Sequence, residues 1–384
     1  AHRFQEAWNA AANRHEVLRA AFRWEGLDDP VQSFAAQVTL PWQEVDLRPL
    51  SSSAQNERLE NFIKEDRKRG FNLSQPPLMR GTLFRRGELS YRFILTTHHL
   101  LFDGRSWRIL LKQVFDVYEN RIESLEKTAP FTNYLTFLQQ RDTAAEREFW
   151  RQTLSGFETP NLFAFQTAPR DAHKTTLATA EKSTVIPSET TASLKALADR
   201  HGVTLNTIMQ ATWALLLQCY SGQNDVVYGV TRSCRRSGLE GGDHTVGLFI
   251  NTLPLRVTLS PTMTWSELLK ATRSAWQAMR SFEHAPLEEV QTWSDVSKGT
   301  PLFDSIFMFE SYQLNEEMRA QGASWQSRRF QLLEQTNNPI TLAIYGGDTL
   351  LIRLEYDTQR FSEQSIDRVL GHHTIGRRVD DCHP

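Results

Sequence analysis

Cysteine is scarce. The 384 residues hold three, Cys219, Cys234 and Cys382. They are far apart and odd in number, so they make neither a disulfide framework nor a zinc spacing, and they fit a reducing cytoplasm. A surplus of one charge is also lacking. Lys and Arg number 43 against 45 Asp and Glu, a formal charge of −2, which argues against a chain built mainly to grip nucleic acid. No apolar run approaches the roughly 18 residues of a membrane span, and no secretory signal is visible. What remains is ordinary globular material. Hydrophobic residues make up 40%, enough for a large core, and the length suggests two or three domains. The first residue is Ala and lies almost inside a helical pattern, so the chain reads as a fragment of something longer.

Phe4, Trp8, Ala11, Leu18 and Phe22 stand at near-helical spacing until Glu25-Gly-Leu-Asp-Asp-Pro30 breaks the pattern. A polar helix is predicted from Ser52 to about Arg69, ended by Gly70. Tyr91 to His98 is rich in β-branched and aromatic residues and reads as a strand. After a short loop, Trp107, Leu110, Leu111, Val114, Phe115 and Tyr118 give a helix with one apolar face. From Thr167 to Ser188 polar residues dominate and periodicity fades, the pattern of a connection between two halves. The second half predicts helices at 189–200, 205–220, 265–279 and 362–370. Its strands are predicted at 226–230, 247–257 and 306–309, with a hairpin around Gly346-Gly-Asp348. Pro254 demands an edge or bulge position. Both halves mix strands and helices, so each is expected to be an α/β sandwich. No clear sequence repeat links them.

His98 and His99 leave the predicted strand together, so their side chains point to opposite faces. His99 continues the phase of Tyr91, Phe93, Leu95 and Thr97; His98 continues that of Arg92, Ile94 and Thr96. One imidazole can face a cavity while the other packs or bonds inside, and histidine suits proton transfer near neutral pH. Taken in isolation, the pair reads more readily as two strand-end histidines with ordinary hydrogen bonds. Asp103 falls just before the next helix, where it could cap the helix, form a buried ion pair or act in catalysis. Gly104 allows a tight turn or a close backbone approach. A metal site is disfavoured, because adjacent histidines splay apart and no His or Cys cluster completes a set.

Taken together, His98-His99-x-x-x-Asp103-Gly104 resembles the signature of nonribosomal peptide synthetase condensation domains. Its shorter His-x-x-x-Asp form is shared with chloramphenicol acetyltransferase and related acyltransferases. Arg14-His-Glu-Val-Leu-Arg-Ala-Ala-Phe22 resembles the family's early motif. Tyr228-Gly229, Arg235 and Val246 to Arg256 resemble its long central one. The segments from His284 to Gln291, Leu302 to Phe309 and Glu334 to Pro339 resemble those that follow, in family order. Two departures stand out. Family members usually begin with a further strand and helix before the first motif. Ser233-Cys234-Arg235 stands where a small residue and Gly commonly precede the Arg; Cys234 is expected to pack like a small apolar residue.

The resemblance implies two chloramphenicol-acetyltransferase-like halves, at residues 1–172 and 173–384, set in a V with a tunnel between them and His99 midway. It implies transfer of a donor acyl group, held as a thioester on the 4′-phosphopantetheine arm of a peptidyl or acyl carrier protein, to an acceptor amine, usually on a second carrier. An adjoining adenylation domain is a further expected partner. No cofactor or metal is expected on the domain itself. His99 is the implied catalytic residue, as base or as orienting group. His98, Asp103, Gly104 and Arg235 support it: Asp103 pairs with Arg235, and N–H groups near Gly104 help hold the oxyanion. An ester-forming or free-standing enzyme, an epimerization domain and a catalytically silent recruitment module remain as alternatives.

Overall fold

The computed structural model describes residues 1–121, 128–163, 166, 179–236, 241–310, 314–322, 325–334 and 336–375. By contacts the chain falls into two units, Ala1–Gln140 with Gly238–Phe249, and Arg141–Ser237 with Ile250–Pro384. The division is therefore not one cut: of the described residues, 141–163 and 166 go with the second unit and 241–249 with the first.

In the first unit, helix α1 (His2–Arg14) buries Ala7, Trp8, Ala11 and Ala12. It stops earlier than its periodicity predicts. His15 leaves helical dihedrals, Leu18 lies in a 3-10 turn (Glu16–Arg19), and Phe22 lies in strand β1 (Ala20–Arg23). That strand pairs antiparallel with β2 (Val31–Phe34). Next come β3 (Trp42–Asp46), α2 (Ser52–Arg69), β4 (Met79–Arg85), β5 (Tyr91–Thr97), α3 (Gly104–Tyr118) and α4 (Thr132–Gln139). Strands β3 and β4 are parallel, β4 and β5 antiparallel. On one face of this sheet Phe93 stacks on Trp42 and meets Phe4 of α1, which in turn meets Phe115 of α3. On the other face Phe84 and Ile94 pack with Leu59 and Phe62 of α2. Successive β5 side chains thus serve opposite helical layers, as a period of two requires.

The second unit holds α5 (Thr143–Leu154), β6 (Thr179–Ile186), α6 (Ser188–Arg200), α7 (Leu205–Ser221), β7 (Asp225–Ser233) and β8 (Ile250–Thr258). They are followed by α8 (Trp265–Ala278), α9 (Leu287–Thr292), β9 (Ser305–Glu310), α10 (Leu314–Arg319), β10 (Ile340–Tyr345), β11 (Leu350–Asp357) and α11 (Glu363–Ile375). The sheet runs β6-β11-β10-β9-β7-β8. Helix α7 buries Ile208, Met209, Ala211, Trp213, Ala214, Leu216 and Leu217. Such near-continuous burial marks it as the central helix of this core. The expected hairpin is β10–β11. Pro254 lies in β8, at the sheet edge, where its missing N–H leaves no ladder bond unmade. The predicted connection 167–188 is corrected in part. Residues 179–186 form edge strand β6, whose polar Thr179-Ala-Glu-Lys-Ser-Thr run reads like a loop because only one side is paired; residues 167–178 lie outside the described ones. A pattern absent from the sequence emerges here: β9∥β10 followed by antiparallel β11 repeats the arrangement of β3, β4 and β5.

Candidate active site

Strand β5 delivers the two histidines. The His98 N–H donates to Leu78 O at 2.9 Å, and the Leu101 N–H donates back to His98 O at 3.1 Å. The chain therefore turns tightly right after the strand. Leu101, Phe102 and Asp103 are buried, and Phe102 meets Trp107 of α3 edge to face. His98 is half-buried and His99 is exposed. The Leu100 N–H donates to His98 Nδ1 at 3.2 Å, so the neutral ring carries its proton on Nε2. Burial, and then the neighbouring His99, push the His98 pKa below its ordinary value, because a charged ring loses hydration there. His98 is thus tied into the turn, on the α2 side of the sheet as its strand phase predicts. His99 projects from the turn into solvent-accessible space.

Asp103 is the N-cap of α3. Its Oδ1 accepts from the Ser106 N–H at 3.1 Å and lies 3.0 Å from the Ser106 hydroxyl. Its Oδ2 accepts from the Phe249 N–H at 3.0 Å, and its own N–H donates to Gly247 O at 3.2 Å. The Ser106 hydroxyl also accepts from the Gly247 N–H. A Cβ on Gly247 would come within 2.3 Å of the Phe131 ring, so only glycine lets this strand-like segment approach. These bonds explain why the strand predicted from 247 begins only at Ile250. Gly104, in contrast, has neither a left-handed φ nor a close protein neighbour: a Cβ there would meet nothing within 4 Å. Among the described residues the tight turn or close approach expected of it is not made.

The early motif holds the scaffold. Buried His15 places Nε2 2.6 Å from Gln113 Oε1 on α3, and Glu16 accepts from the Thr132 N–H and hydroxyl at the start of α4. Burial lowers the His15 pKa to about 4, against the pull of the Gln113 hydrogen bond. In the second unit Arg235 is buried in the 3-10 turn after β7. Beside it, Arg232 pairs with Glu283 at 2.6 Å, and Asn251 donates to Glu283 O and Ala285 O. Cys234 is buried, its thiol 3.3 Å from Glu283 O, so it packs as expected. Among the described residues no group of three or more His, Cys, Asp and Glu is arranged to hold a metal, and no helix is long and apolar enough to cross a membrane.

Sequence reasoning missed Ser106, whose hydroxyl completes the Asp103 network; the polar residue at the third position of an otherwise apolar-periodic helix was the available signal. It also missed Gln113, Phe71 and Arg80, whose partners are distant in sequence.

The family model described as Condensation domain matches residues 1–375. One linear gramicidin synthase protein of Brevibacillus parabrevis is 37% identical over 371 residues, 96% of this chain and 5% of that protein. Another protein of the same synthase is 35% identical over 96% of this chain and 7% of its own length. The chain thus spans under a tenth of these curated relatives. Among solved structures, a four-domain nonribosomal peptide synthetase bound to AMP and glycine superposes with a TM-score of 0.82 at 20% identity. The match covers 100% of this chain and 31% of that one, and at that identity it speaks of fold.

Burial of a neutral His15 makes stability depend on pH. From pH 6.5 down to 4 the unfolded chain binds a proton at His15 that the folded chain refuses. The contribution is complete above the unfolded pKa and is lost as pH falls through the folded one, up to about 3 kcal/mol in all. His15→Gln removes this titration. Urea denaturation at each pH should show the variant losing less stability than the parent across that window. Parallel losses would show that His15 is not buried in its neutral form.

Proposed function

The chain belongs to the condensation-domain family of nonribosomal peptide synthetases, and from that premise we propose that it is an acyltransferase that forms an amide bond between two carrier-bound substrates, with His99 as the catalytic residue. The observation that carries the reading is local. His99 is exposed at a turn whose neighbours are fixed: His98 is bonded to it, and Leu101, Phe102 and Asp103 are buried.

In the proposed reaction the acceptor amine attacks the carbonyl of an acyl thioester on a phosphopantetheine arm. The C–N bond forms, the C–S bond breaks, and the thiolate of the arm departs. The amine loses a proton and the thiolate gains one, so His99 ends the cycle as it began. A thioester is already activated. What the protein supplies is alignment and proton handling, the latter worth about 10²–10⁴-fold when a general base acts. The first N–H groups of α3, at Gly104 and Arg105, have no intrahelical partner. The open space at Gly104 would let a carbonyl oxygen reach them, where such donors stabilise developing charge. The reading takes as partners a donor and an acceptor carrier protein and, in a longer synthetase, an adenylation domain, working in the cytoplasm without a metal at the site.

The test is transfer between preloaded carriers, with EDTA added once loading is complete. His99→Ala should lower the rate by about 10²–10⁴-fold while circular dichroism and the thermal transition stay unchanged. Near-normal product from a folded His99→Ala protein would refute the assignment.

Asp103 is part of the same proposal, as structural support with Arg235 as its partner. Its removal would leave the Phe249 N–H and the Ser106 N–H without the acceptor they now have. The expected cost of Asp103→Ala is about 3–5 kcal/mol. In a double-mutant cycle with Arg235→Ala, a coupling above roughly 1 kcal/mol supports the pair; additive losses would show that the two act separately.

A further inference from the structure

The turn that presents His99 touches a side chain outside every motif seen in the sequence. Helix α2 ends at Gly70, whose φ of 59° and ψ of −157° lie where in practice only glycine goes. The exit brings the Phe71 ring against two groups. The Arg80 guanidinium lies 4.3 Å from its centroid. The His98 imidazole meets it at 79°, with centroids 6.3 Å apart.

Arg80 is itself fixed. Its Nε donates to Asp66 Oδ1 at 2.7 Å, Nη2 to Asp66 O at 2.6 Å, and Nη1 to Gly70 O at 2.7 Å. The cation thus closes the C-terminal end of α2, where carbonyls favour positive charge. The other oxygen of Asp66 accepts from the Thr96 hydroxyl, two residues before His98. The Arg80 and Asp66 side chains are 12% and 8% exposed, so the pair acts with little screening by water. The end of α2, strand β4 and the end of β5 are therefore joined at Asp66, beside the Phe71–His98 contact. Phe71 is half-buried.

We propose that Phe71, backed by Arg80, is a positioning residue: it holds the His98 imidazole in the rotamer whose Nδ1 accepts the Leu100 N–H, and so sets the turn that presents His99. Its catalytic consequence rests on the transfer reading above. The physical basis is the directionality of ring contacts. An imidazole against an aromatic face has a preferred orientation, and the guanidinium stacked on that ring keeps the ring in place. Without it, His98 can rotate, the Leu100 N–H loses its acceptor and the His99 backbone is released.

The test compares Phe71→Ala, Phe71→Leu and Phe71→Tyr in the 384-residue chain. Two readouts are needed: imidazole ¹⁵N resonances of His98, assigned with His98→Gln, and kcat and KM for transfer between preloaded carriers. Phe71→Ala and Phe71→Leu should abolish the acceptor signature of Nδ1. They should also lower kcat roughly 10- to 100-fold at unchanged KM; Phe71→Tyr, which keeps the ring, should retain both. Leu keeps apolar bulk, so it decides the matter if the Ala variant does not fold. A folded Leu variant with the parent His98 spectrum overturns the proposal, whatever its rate. A changed spectrum with parental kcat overturns the catalytic consequence. Should the unmodified chain transfer nothing, the transfer reading fails, and the His98 spectrum still decides whether Phe71 sets the imidazole.

Discussion

The carboxylate of Asp103 is the constraint on which the candidate site depends. One oxygen closes the first turn of α3 through Ser106, and the other accepts from Phe249, 146 residues away. A buried carboxylate left without donors would cost several kcal/mol, so the turn from His98 to Gly104 cannot move without breaking bonds on both sides. The capping role and the long-range role are one interaction. A helix cap alone would have set α3; the bond to Phe249 also brings in the 247–249 segment, which chain order alone would leave with β8.

That constraint orders the other motifs. His15 and Glu16 reach no part of the His98 turn directly. They tie the end of α1 to α3 and α4 through Gln113 and Thr132. Helix α3, with Asp103 at its head, is thereby held along its length as well as at its start. In the second unit, Arg232, Glu283 and Asn251 do comparable work around the segment 283–285. These motif residues thus hold backbone in place. The reaction proposed is consistent with this. An activated thioester asks for alignment more than for strong acids, bases or metals, and alignment is what a stiff frame provides.

How much of this was legible in the sequence depended on range. The strand–turn–helix unit around His98 was plain, because period two, a capping aspartate and a period near 3.6 follow one another without a gap. Pro254 restricted its strand to an edge or a bulge, since proline cannot donate to a ladder, and the sheet order decides for the edge. The failures share one cause. Leu18 and Phe22 keep helical spacing, yet the helix ends at Arg14 because His15 is drawn to Gln113 and Ala20–Arg23 to β2. Polar β6 looked like a connection because its ladder partner, β11, lies some 170 residues on. Phe71 and Arg80 carried no local signal, since their meaning comes from His98 and Asp66. Local preference is a weak prior that tertiary contacts override.

On the proposed reading the adjacent histidines divide two demands that conflict in one residue. A group that moves a proton must be free to gain and lose it near neutral pH, whereas a group that holds a turn must keep one hydrogen-bonding pattern. Protonating His98 would replace the Nδ1 lone pair with an N–H and cancel its bond to Leu100. Its lowered pKa shifts that event to more acidic conditions, so near neutrality the turn keeps one shape. The strand period sends His99 away from the same burial, and it is exposed. Two histidines in sequence are therefore no redundancy on the proposed reading: the half-buried one is bonded into the turn, and the exposed one is the residue to which the proposed transfer assigns proton handling.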